Sequence, residues 1–245
     1  MLKNSYIKQI RQLLADIEKT EAQAISEAAD EVSKAIAADK LVWVFGSSHA
    51  GILAEETFYR AGGLACVTPI FLPGLATNTR PITATSERER EPGYAKERLV
   101  EFPIEAGDVL IVHSVSGRNA APVEAAHYGK EKGAFVIALT SLEYATASIV
   151  RNKQGSPLHA AADLVLDNHA PSGDALVSVD GLEQKVSPAS TVLGAAILHS
   201  IMAEAAIRLV KLGFEPPVFV SANLEGGDEH NAALMERYKG RVTYI

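Results

Sequence analysis

Apolar side chains recur at helical spacing over the first part of the chain, and the pattern changes near residue 39. Residues 5–38 contain neither glycine nor proline, and their apolar positions return every three or four residues, as on one face of a helix. Thr20 followed by Gln23 matches a capping box, which predicts two successive helices. We therefore expect a helical extension over residues 1–38. The spacing leaves open whether it forms a dimerisation element or packs on its own domain.

From residue 39 onward, short apolar runs alternate with stretches compatible with helices. The predicted buried strands are 41–45, 64–71, 109–113, 134–140, 164–166 and 218–220. The predicted helices are 50–61, 121–131, 142–150 and 189–212. This alternation predicts an α/β fold in which helices cover both faces of a parallel sheet. Such sheets bind ligands beyond the carboxyl ends of their strands, where the strand order reverses.

The segment 73–103 interrupts the alternation. It is rich in threonine and contains the charged cluster 87–91. A break of this length is either a lid or interface arm over a site, or a solvated helix–loop insert. In the first case we expect it to influence ligand specificity.

The composition of the chain disfavours several classes of function. The chain has 245 residues, of which 47% are hydrophobic and 22% charged, and these values are ordinary for a soluble globular protein. Its net charge of −7 and its acidic N-terminal arm disfavour a nucleic-acid partner. The single cysteine, Cys66, excludes an internal disulfide and a cysteine-based metal cluster.

Two further features concern location. The first residues lack the continuous apolar run of a secretory signal. The apolar stretch 192–210 carries His199, Glu204 and Arg208, which favours a buried helix over a membrane span. We therefore expect a cytoplasmic protein with no membrane partner.

Three loops next to predicted strands and helices are rich in small polar residues. Loop 1 (residues 46–51) follows the first strand, loop 2 (residues 114–119) follows the third strand, and loop 3 (residues 185–191) opens the last long helix. Hydroxyl groups and backbone N–H groups at a helix N-terminus favour a bound anion such as phosphate. Loop 1 has the spacing of neither a nucleotide P-loop nor a dinucleotide fingerprint. The alternative for loop 2 is a capped turn, with Ser116 or Asn119 as the cap.

The order of the three loops resembles that of the SIS (sugar isomerase) domain, a family that binds phosphosugars. The resemblance covers residues 30–225, and Ser114-Val115-Ser116-Gly117 is its most specific part. The chain is similar to phosphoheptose isomerase and arabinose-5-phosphate isomerase, and it most resembles bacterial members described as phosphosugar isomerases. The resemblance implies a three-layer αβα sandwich with a five-stranded parallel sheet, as an SIS phosphosugar-binding domain over residues 39–245.

The same resemblance implies which residues bind the phosphorylated monosaccharide. They are Gly46, Ser47, Ser48, Ser114, Ser116, Gly117, Asn119, Ser190 and Thr191. Loop 1 departs from the family at two positions, since Ser48 replaces a usual second glycine and Ala50 replaces a usual serine. This departure affects the ligand contacts more than the fold.

An aldose–ketose isomerase needs one group to move a proton between C1 and C2, and another to open the ring. The resemblance implies three candidates. Glu183 lies just before loop 3, where relatives place a catalytic glutamate, although Lys185 occupies the matching spacing. His49 stands where a relative has a functional lysine, and His230 lies near a ring-opening histidine that reaches a neighbouring subunit in some relatives.

Two other groups carry alternative interpretations. Glu56 either faces the site as a base or pairs with Arg60 four residues later on the same helix. Asp228, Glu229 and His230 are metal-ligating types, but adjacent side chains on one element diverge in direction and rarely share an ion. We expect no metal and no cofactor.

The sequence therefore predicts a phosphosugar-binding protein that interconverts an aldose and a ketose phosphate through an enediol-like intermediate. Relatives build this site at a subunit interface, so we expect a homodimer or a dimer of dimers. The alternatives are a phosphosugar lyase or etherase, and a non-catalytic phosphosugar sensor.

Overall fold

A five-stranded parallel sheet forms the centre of the structure, a computed structural model that describes residues 5–245. Its strands are β1 (Val42–Gly46), β2 (Val67–Ile70), β3 (Val109–His113), β4 (Phe135–Thr140) and β5 (Leu164–Asp167). Their order is β2-β1-β3-β4-β5, and all neighbouring pairs are parallel. Strands β1, β2 and β3 are buried along their whole length, because helices cover both faces of the sheet.

The helices form the two outer layers of an αβα sandwich, as the sequence predicts. They are α1 (Tyr6–Thr20), α2 (Ala22–Ala37), α3 (Ile52–Thr57), α4 (Thr83–Arg90), α5 (Tyr94–Leu99), α6 (Ala120–Glu131), α7 (Leu142–Ala147), α8 (Leu158–Ala161), α9 (Ser190–Lys211) and α10 (Gly227–Tyr238). Helices α1, α2 and α3 pack against α9 on one side of the sheet. Helices α4, α5 and α8 pack against α6 on the other side.

The strand order reverses between β1 and β3. The chain passes from β1 to β2 on one side, and then returns to place β3 on the other side of β1. Gly46 and His113 end these two strands and lie opposite each other in the register. Loops 1 and 2 leave the sheet at these two residues, so the fold brings both to the position where α/β sheets bind ligands.

The N-terminal extension forms two helices, but not with the predicted cap. Glu21 stands between α1 and α2 and makes no side-chain capping bond, while the Thr20 hydroxyl donates to the Asp16 carbonyl oxygen. Both helices pack against α9 of the same chain, and the Tyr6 hydroxyl donates to the Pro188 carbonyl oxygen at 2.6 Å. Residues 1–4 of the predicted extension lie outside the described residues.

The predicted strand at 218–220 is wrong. This segment makes one isolated antiparallel bridge, between Leu64 and Val218, and does not join the sheet. The prolines at 216 and 217 have no N–H group to donate to a ladder, which limits strand formation. The sequence pattern also misses a short hairpin of β6 (Ala175–Val177) and β7 (Val186–Pro188).

The segment 73–103 is an integral part of the domain. It contains α4 and α5, which pack on α6, and it buries Ala95, Leu99 and Phe102. The Glu124 carboxylate on α6 accepts hydrogen bonds from the Gly93 and Lys96 N–H groups at the start of α5. These hydrogen bonds anchor α5 on α6, and α4 packs on both of these helices.

By length and composition alone, α9 could cross a membrane. In this fold one face of α9 packs against α2 and α3, as the core helix of an α/β domain does. Its Arg208 guanidinium donates to the Asp30 carboxylate and the Ser26 hydroxyl on α2.

Candidate functional site

A cavity of about 240 Å³ lies between loops 1 and 2, at the reversal point of the sheet. Its lining residues are Ser47, Ser48, His49, Ala50, Glu89, Ser114, Val115, Ser116, Arg118, Asn119, Tyr144, Gly173 and Asp174. Pockets for drug-sized ligands usually occupy about 300–1,000 Å³, so this cavity suits a smaller molecule.

Loop 1 is held in a tight turn against the end of β1. A Cβ atom at Gly46 would collide with the Ala50 carbonyl, so this position requires glycine. The His113 ring is fully buried beneath the loop, and burial lowers its pKa to about 4. The ring is therefore neutral, and Nδ1 donates to the Ala50 carbonyl oxygen at 3.0 Å. His113 is a positioning residue for loop 1.

Loop 2 is shaped by Gly117 and tied to a neighbouring loop. Gly117 has a left-handed backbone (φ 59°), and its N–H group donates to the Ser114 hydroxyl at 3.3 Å. Two residues outside loop 2 also bind its backbone. The Leu158 N–H group donates to the Gly117 carbonyl oxygen at 2.7 Å, and the Asn152 side-chain amide donates to the Arg118 carbonyl oxygen at 3.0 Å. The loop conformation is thus fixed by backbone contacts that leave its polar side chains available.

The N-terminus of α6, which follows loop 2, has no side-chain cap. Asn119 occupies the capping position, but its side chain makes no capping hydrogen bond. The interpretation of Asn119 as an ordinary helix cap is therefore wrong. The positive end of the α6 dipole stays accessible to a negatively charged group.

Four buried polar atoms of the cavity have no hydrogen-bond partner among the described residues. They are the Ser47 and Ser48 hydroxyl oxygens, Arg118 Nε and Asn119 Oδ1. Buried polar groups in proteins are nearly always paired, so an unpaired cluster calls for an explanation. Their convergence on one cavity at a helix N-terminus is what a bound polar ligand with negative charge would satisfy.

Glu89 brings a carboxyl group to this cavity from α4. Burial raises the pKa of Glu89, and the neighbouring Asn119, His49 and Arg118 offset part of this effect. A carboxyl group in a cleft with a raised pKa is a candidate proton-transfer group. The sequence pattern missed it, because Glu89 is one of several charges in the 87–91 cluster and only the packing of α4 on α6 selects it.

Arg118, Tyr144 and Asp174 also line the cavity without having been predicted. The signal for Arg118 was present, since a guanidinium within a predicted phosphate loop is a natural anion ligand. Asp174 lies far from loop 2 in the sequence, and only the tertiary structure brings it near.

Loop 3 does not face the cavity as predicted. Ser190 is fully buried, and its N–H group and hydroxyl both donate to the Asp174 carboxylate. Neither Ser190 nor Thr191 lines the cavity, and Gly46 and Gly117 lie beneath it as backbone supports. Of the nine predicted binding residues, the cavity is lined by Ser47, Ser48, Ser114, Ser116 and Asn119.

The three predicted catalytic residues do not meet within one chain. His49 lines the cavity, whereas Glu183 is exposed in the connection between β6 and β7. His230 lies on α10 and donates from Nε2 to the Val218 carbonyl oxygen at 2.9 Å. It lines a separate cavity with Pro216 and Arg237.

Glu56 on α3 forms the predicted ion pair with Arg60, although α3 ends at Thr57 and Arg60 lies beyond it. The Glu56 carboxylate also lies 3.3 Å from His199 Nε2 on α9. Burial and the nearby Arg60 lower the pKa of His199. This carboxylate–imidazole pair lies at the surface, outside the cavity lining.

Candidate metal ligands and the single cysteine thiol are the remaining reactive groups. Within residues 5–245, no group of three or more His, Cys, Asp or Glu side chains is placed to hold a metal ion. Burial raises the pKa of the Cys66 thiol to about 12, so it is not a nucleophile at neutral pH.

Comparison with known proteins gives consistent relationships. Residues 5–141 match the family model described as the SIS domain. A UPF0309 protein of Shouchella clausii is 46% identical over 240 residues, which cover 98% of both chains. A UPF0309 protein of Halalkalibacterium halodurans is 43% identical over 241 residues, which cover 98% of this chain and 96% of the relative.

Two solved structures share the fold at low sequence identity. The phosphoheptose isomerase from Francisella tularensis is 18% identical with a TM-score of 0.54, and the one from Neisseria gonorrhoeae is 19% identical with a TM-score of 0.52. Each alignment covers 82% of this chain and 94% of the isomerase.

Proposed function

The chain belongs to the SIS domain family, and we propose that it binds a phosphorylated monosaccharide and interconverts its aldose and ketose forms. The observation that carries this proposal is the cluster of unpaired polar groups around the uncapped N-terminus of α6. The phosphoheptose isomerases that share the fold support the same substrate class.

The phosphate group binds at loop 2. The α6 dipole, the Arg118 guanidinium and the hydroxyls of Ser114 and Ser116 provide positive potential and hydrogen-bond donors on one side of the cavity. The Ser47 and Ser48 hydroxyls of loop 1 are left to contact the sugar. This arrangement holds the ligand by its phosphate and points its carbon chain toward α4.

Glu89 is the group that moves the proton. Its carboxylate removes the proton from C2 of the open-chain aldose while O1 takes up a proton, which forms an enediol-like intermediate. It then returns the carbon-bound proton to C1 while the O2 hydroxyl loses its proton, so the proton gained at O1 is balanced by the one lost at O2 and the ketose is complete. A raised pKa makes this carboxylate a stronger base than an exposed glutamate. His49 lines the same cavity and transfers the hydroxyl proton during ring opening.

The functional unit we propose is a homodimer built on α9. The exposed face of α9 carries Val192, Ala196, His199, Ala203, Ile207 and Val210 at helical spacing. This stripe joins apolar residues to two small alanines, which allow close approach of a second helix. His199 of this stripe pairs with Glu56 of α3, so that pair would face the second copy. Glu183 and His230 remain candidates for contribution to a neighbouring copy's site.

A binding and exchange experiment tests the proposal. Aldose phosphates of five to seven carbons and their unphosphorylated counterparts would be titrated by calorimetry, and each phosphosugar then incubated with enzyme in D₂O. We expect binding of the phosphorylated forms only, and an isomer that carries solvent deuterium at C1 or C2. Equal binding of phosphorylated and unphosphorylated sugars would contradict the phosphate site. Binding without isomerisation or exchange would favour a sensor, and loss of a substituent would favour a lyase.

A further inference from the structure

The N-terminus of α9 is occupied by a side chain of the protein itself. Asp174 Oδ1 accepts hydrogen bonds from the Ala189 N–H group at 3.1 Å and the Ser190 N–H group at 2.8 Å. Asp174 Oδ2 accepts from the Ser190 hydroxyl at 2.7 Å. Two backbone N–H groups and a hydroxyl at the start of a 22-residue helix are the donors that a phosphate would use.

The backbone around Asp174 holds the carboxylate in this position. Gly173 and Asp174 both have left-handed backbones, with φ of 83° and 66°, a conformation that aspartate tolerates better than most residues. The Asp174 N–H group donates to the Pro171 carbonyl oxygen at 2.7 Å. The Ala189 N–H group also donates to the Asp174 carbonyl oxygen at 3.1 Å, so the main chain ties the turn to the helix start.

The hairpin of β6 and β7 reinforces the same turn. Its first pair joins Ala175 to Pro188, immediately beside the Asp174–Ala189 contact. The Pro188 carbonyl oxygen in turn accepts the Tyr6 hydroxyl of α1. Asp174 is thus fixed by α1, by the hairpin and by α9 together.

Asp174 also lines the cavity, together with residues of loop 2. Its negative charge repels a second anion beside the start of α9, while Arg118 and the uncapped α6 attract one at loop 2. We infer that Asp174 is a specificity-determining residue that closes the N-terminus of α9 to anions and confines the ligand's phosphate to loop 2. This inference rests on the proposed function for the position of the phosphate, and it removes Ser190 and Thr191 from the phosphate contacts.

Titration with inorganic phosphate tests the closure. Calorimetry would give the affinity and stoichiometry for the unchanged protein, Asp174→Ala, Asp174→Asn and Asp174→Ala/Ser190→Ala. We expect one phosphate per chain in the unchanged protein. In Asp174→Ala we expect either a second bound phosphate or phosphate binding that is about tenfold tighter. The gain should disappear in the double variant.

Asp174→Asn keeps the shape of the side chain and loses its charge, so it should gain less than Asp174→Ala. Misfolding of the turn would lower phosphate affinity, so a gain in affinity supports the inference. If the alanine variant does not fold, the asparagine variant provides the same test. In the otherwise unchanged protein, Ser190→Ala should change phosphate affinity by less than about twofold, a negligible free energy. A loss of about tenfold there, or no gain in either Asp174 variant, would overturn the inference.

The outcomes separate this inference from the proposed function. If Arg118→Ala abolishes phosphate binding but the Asp174 variants gain nothing, the loop 2 site stands and the closure by Asp174 fails. If the unchanged protein binds no phosphate while Asp174→Ala gains a Ser190-dependent site, the closure stands and the loop 2 site fails.

Discussion

Asp108 and Glu89 are two desolvated carboxyl groups at opposite ends of the parallel sheet, and their surroundings differ. At the amino end, Asp108 is 1% exposed and accepts hydrogen bonds from the Leu41 N–H group, the Trp43 indole and the Glu105 N–H group at 2.8–3.0 Å. At the carboxyl end, Glu89 is desolvated without comparable donors, and burial raises its pKa.

This difference separates a structural role from a functional one. The three donors that surround Asp108 compensate for its loss of hydration, and they tie the start of β3 to β1. At the carboxyl end, Arg118 Nε and the loop 1 hydroxyls have no hydrogen-bond partner among the described residues, and a ligand can supply these interactions beside the desolvated Glu89. In parallel α/β folds, the amino end of the sheet serves stability and the carboxyl end serves binding.

Replacing Glu89 is expected to have the largest effect. Glu89→Gln should lower isomerase turnover by about 10²- to 10⁴-fold, the usual contribution of general acid–base catalysis, because an amide cannot carry the proton. Binding of the phosphosugar should change little. Deuterium exchange in D₂O and calorimetry would measure the two quantities. Unchanged turnover would remove Glu89 from the reaction.

The same variant, Glu89→Gln, is expected to be more stable although it is less active. The folded-state pKa of Glu89 is raised, so its contribution to stability is full below the unfolded-state pKa and is lost as pH rises through the folded-state pKa. Glu89→Gln should therefore be more stable than the unchanged protein at neutral pH. The difference should vanish on acidification below the ordinary glutamate pKa, as measured by urea unfolding at several pH values.

Asp108→Ala is the matching test at the amino end. It leaves three buried donors unpaired, so the free energy of unfolding should fall by about 3 kcal/mol or more. Urea unfolding measures this loss, and turnover per folded molecule should stay unchanged. Glu105→Gln is the control, since the exposed Glu105–Lys40 ion pair is expected to contribute less than about 1 kcal/mol. Equal losses in both variants would contradict the special role of Asp108.

Arg118→Ala should weaken phosphosugar binding by about 10- to 100-fold, through the loss of charge-assisted hydrogen bonds to phosphate. Calorimetry with the phosphosugar measures the loss, and Arg118→Lys should recover part of it, since lysine keeps the charge without the planar fork. The unphosphorylated sugar should show no binding to either variant, as for the unchanged protein. Unchanged phosphosugar affinity in Arg118→Ala would place Arg118 outside the phosphate contacts.

The smallest effect concerns the shape of loop 2. Gly117 and Gly155 both have left-handed backbones, but a Cβ at Gly117 would lie 3.2 Å from Leu158 Cβ and Thr140 Oγ1, whereas Gly155 has open space around it. Gly155→Ala should cost about 1 kcal/mol of stability from backbone strain alone. Gly117→Ala should cost about 1 kcal/mol more, from crowding, and should also weaken phosphosugar binding. Thermal unfolding of the two variants measures the difference.

The strands and loops 1 and 2 followed from local pattern. Apolar runs such as 109–113 predict buried strands, and because the carboxyl ends of parallel strands meet at one edge, loops 1 and 2 were expected at the same edge. The pairing of β1 with β3 then makes the two loops neighbours. The prediction of a strand at 218–220 was wrong because an apolar run by itself resembles a strand. In the structure this run follows two prolines and pairs with the rest of the chain at one isolated bridge, between Leu64 and Val218.

The sequence by itself determined the fold class, the order of the layers and the polar loops at the ends of β1 and β3, because these depend on periodicity and on short motifs. Only the tertiary structure decided which charges matter. Glu89 reaches the cavity through the packing of α4 on α6, and Asp174 reaches the start of α9 from a turn sixteen residues earlier in the chain. Neither residue has a local signature, because burial and hydrogen bonding are properties of contacts between distant segments.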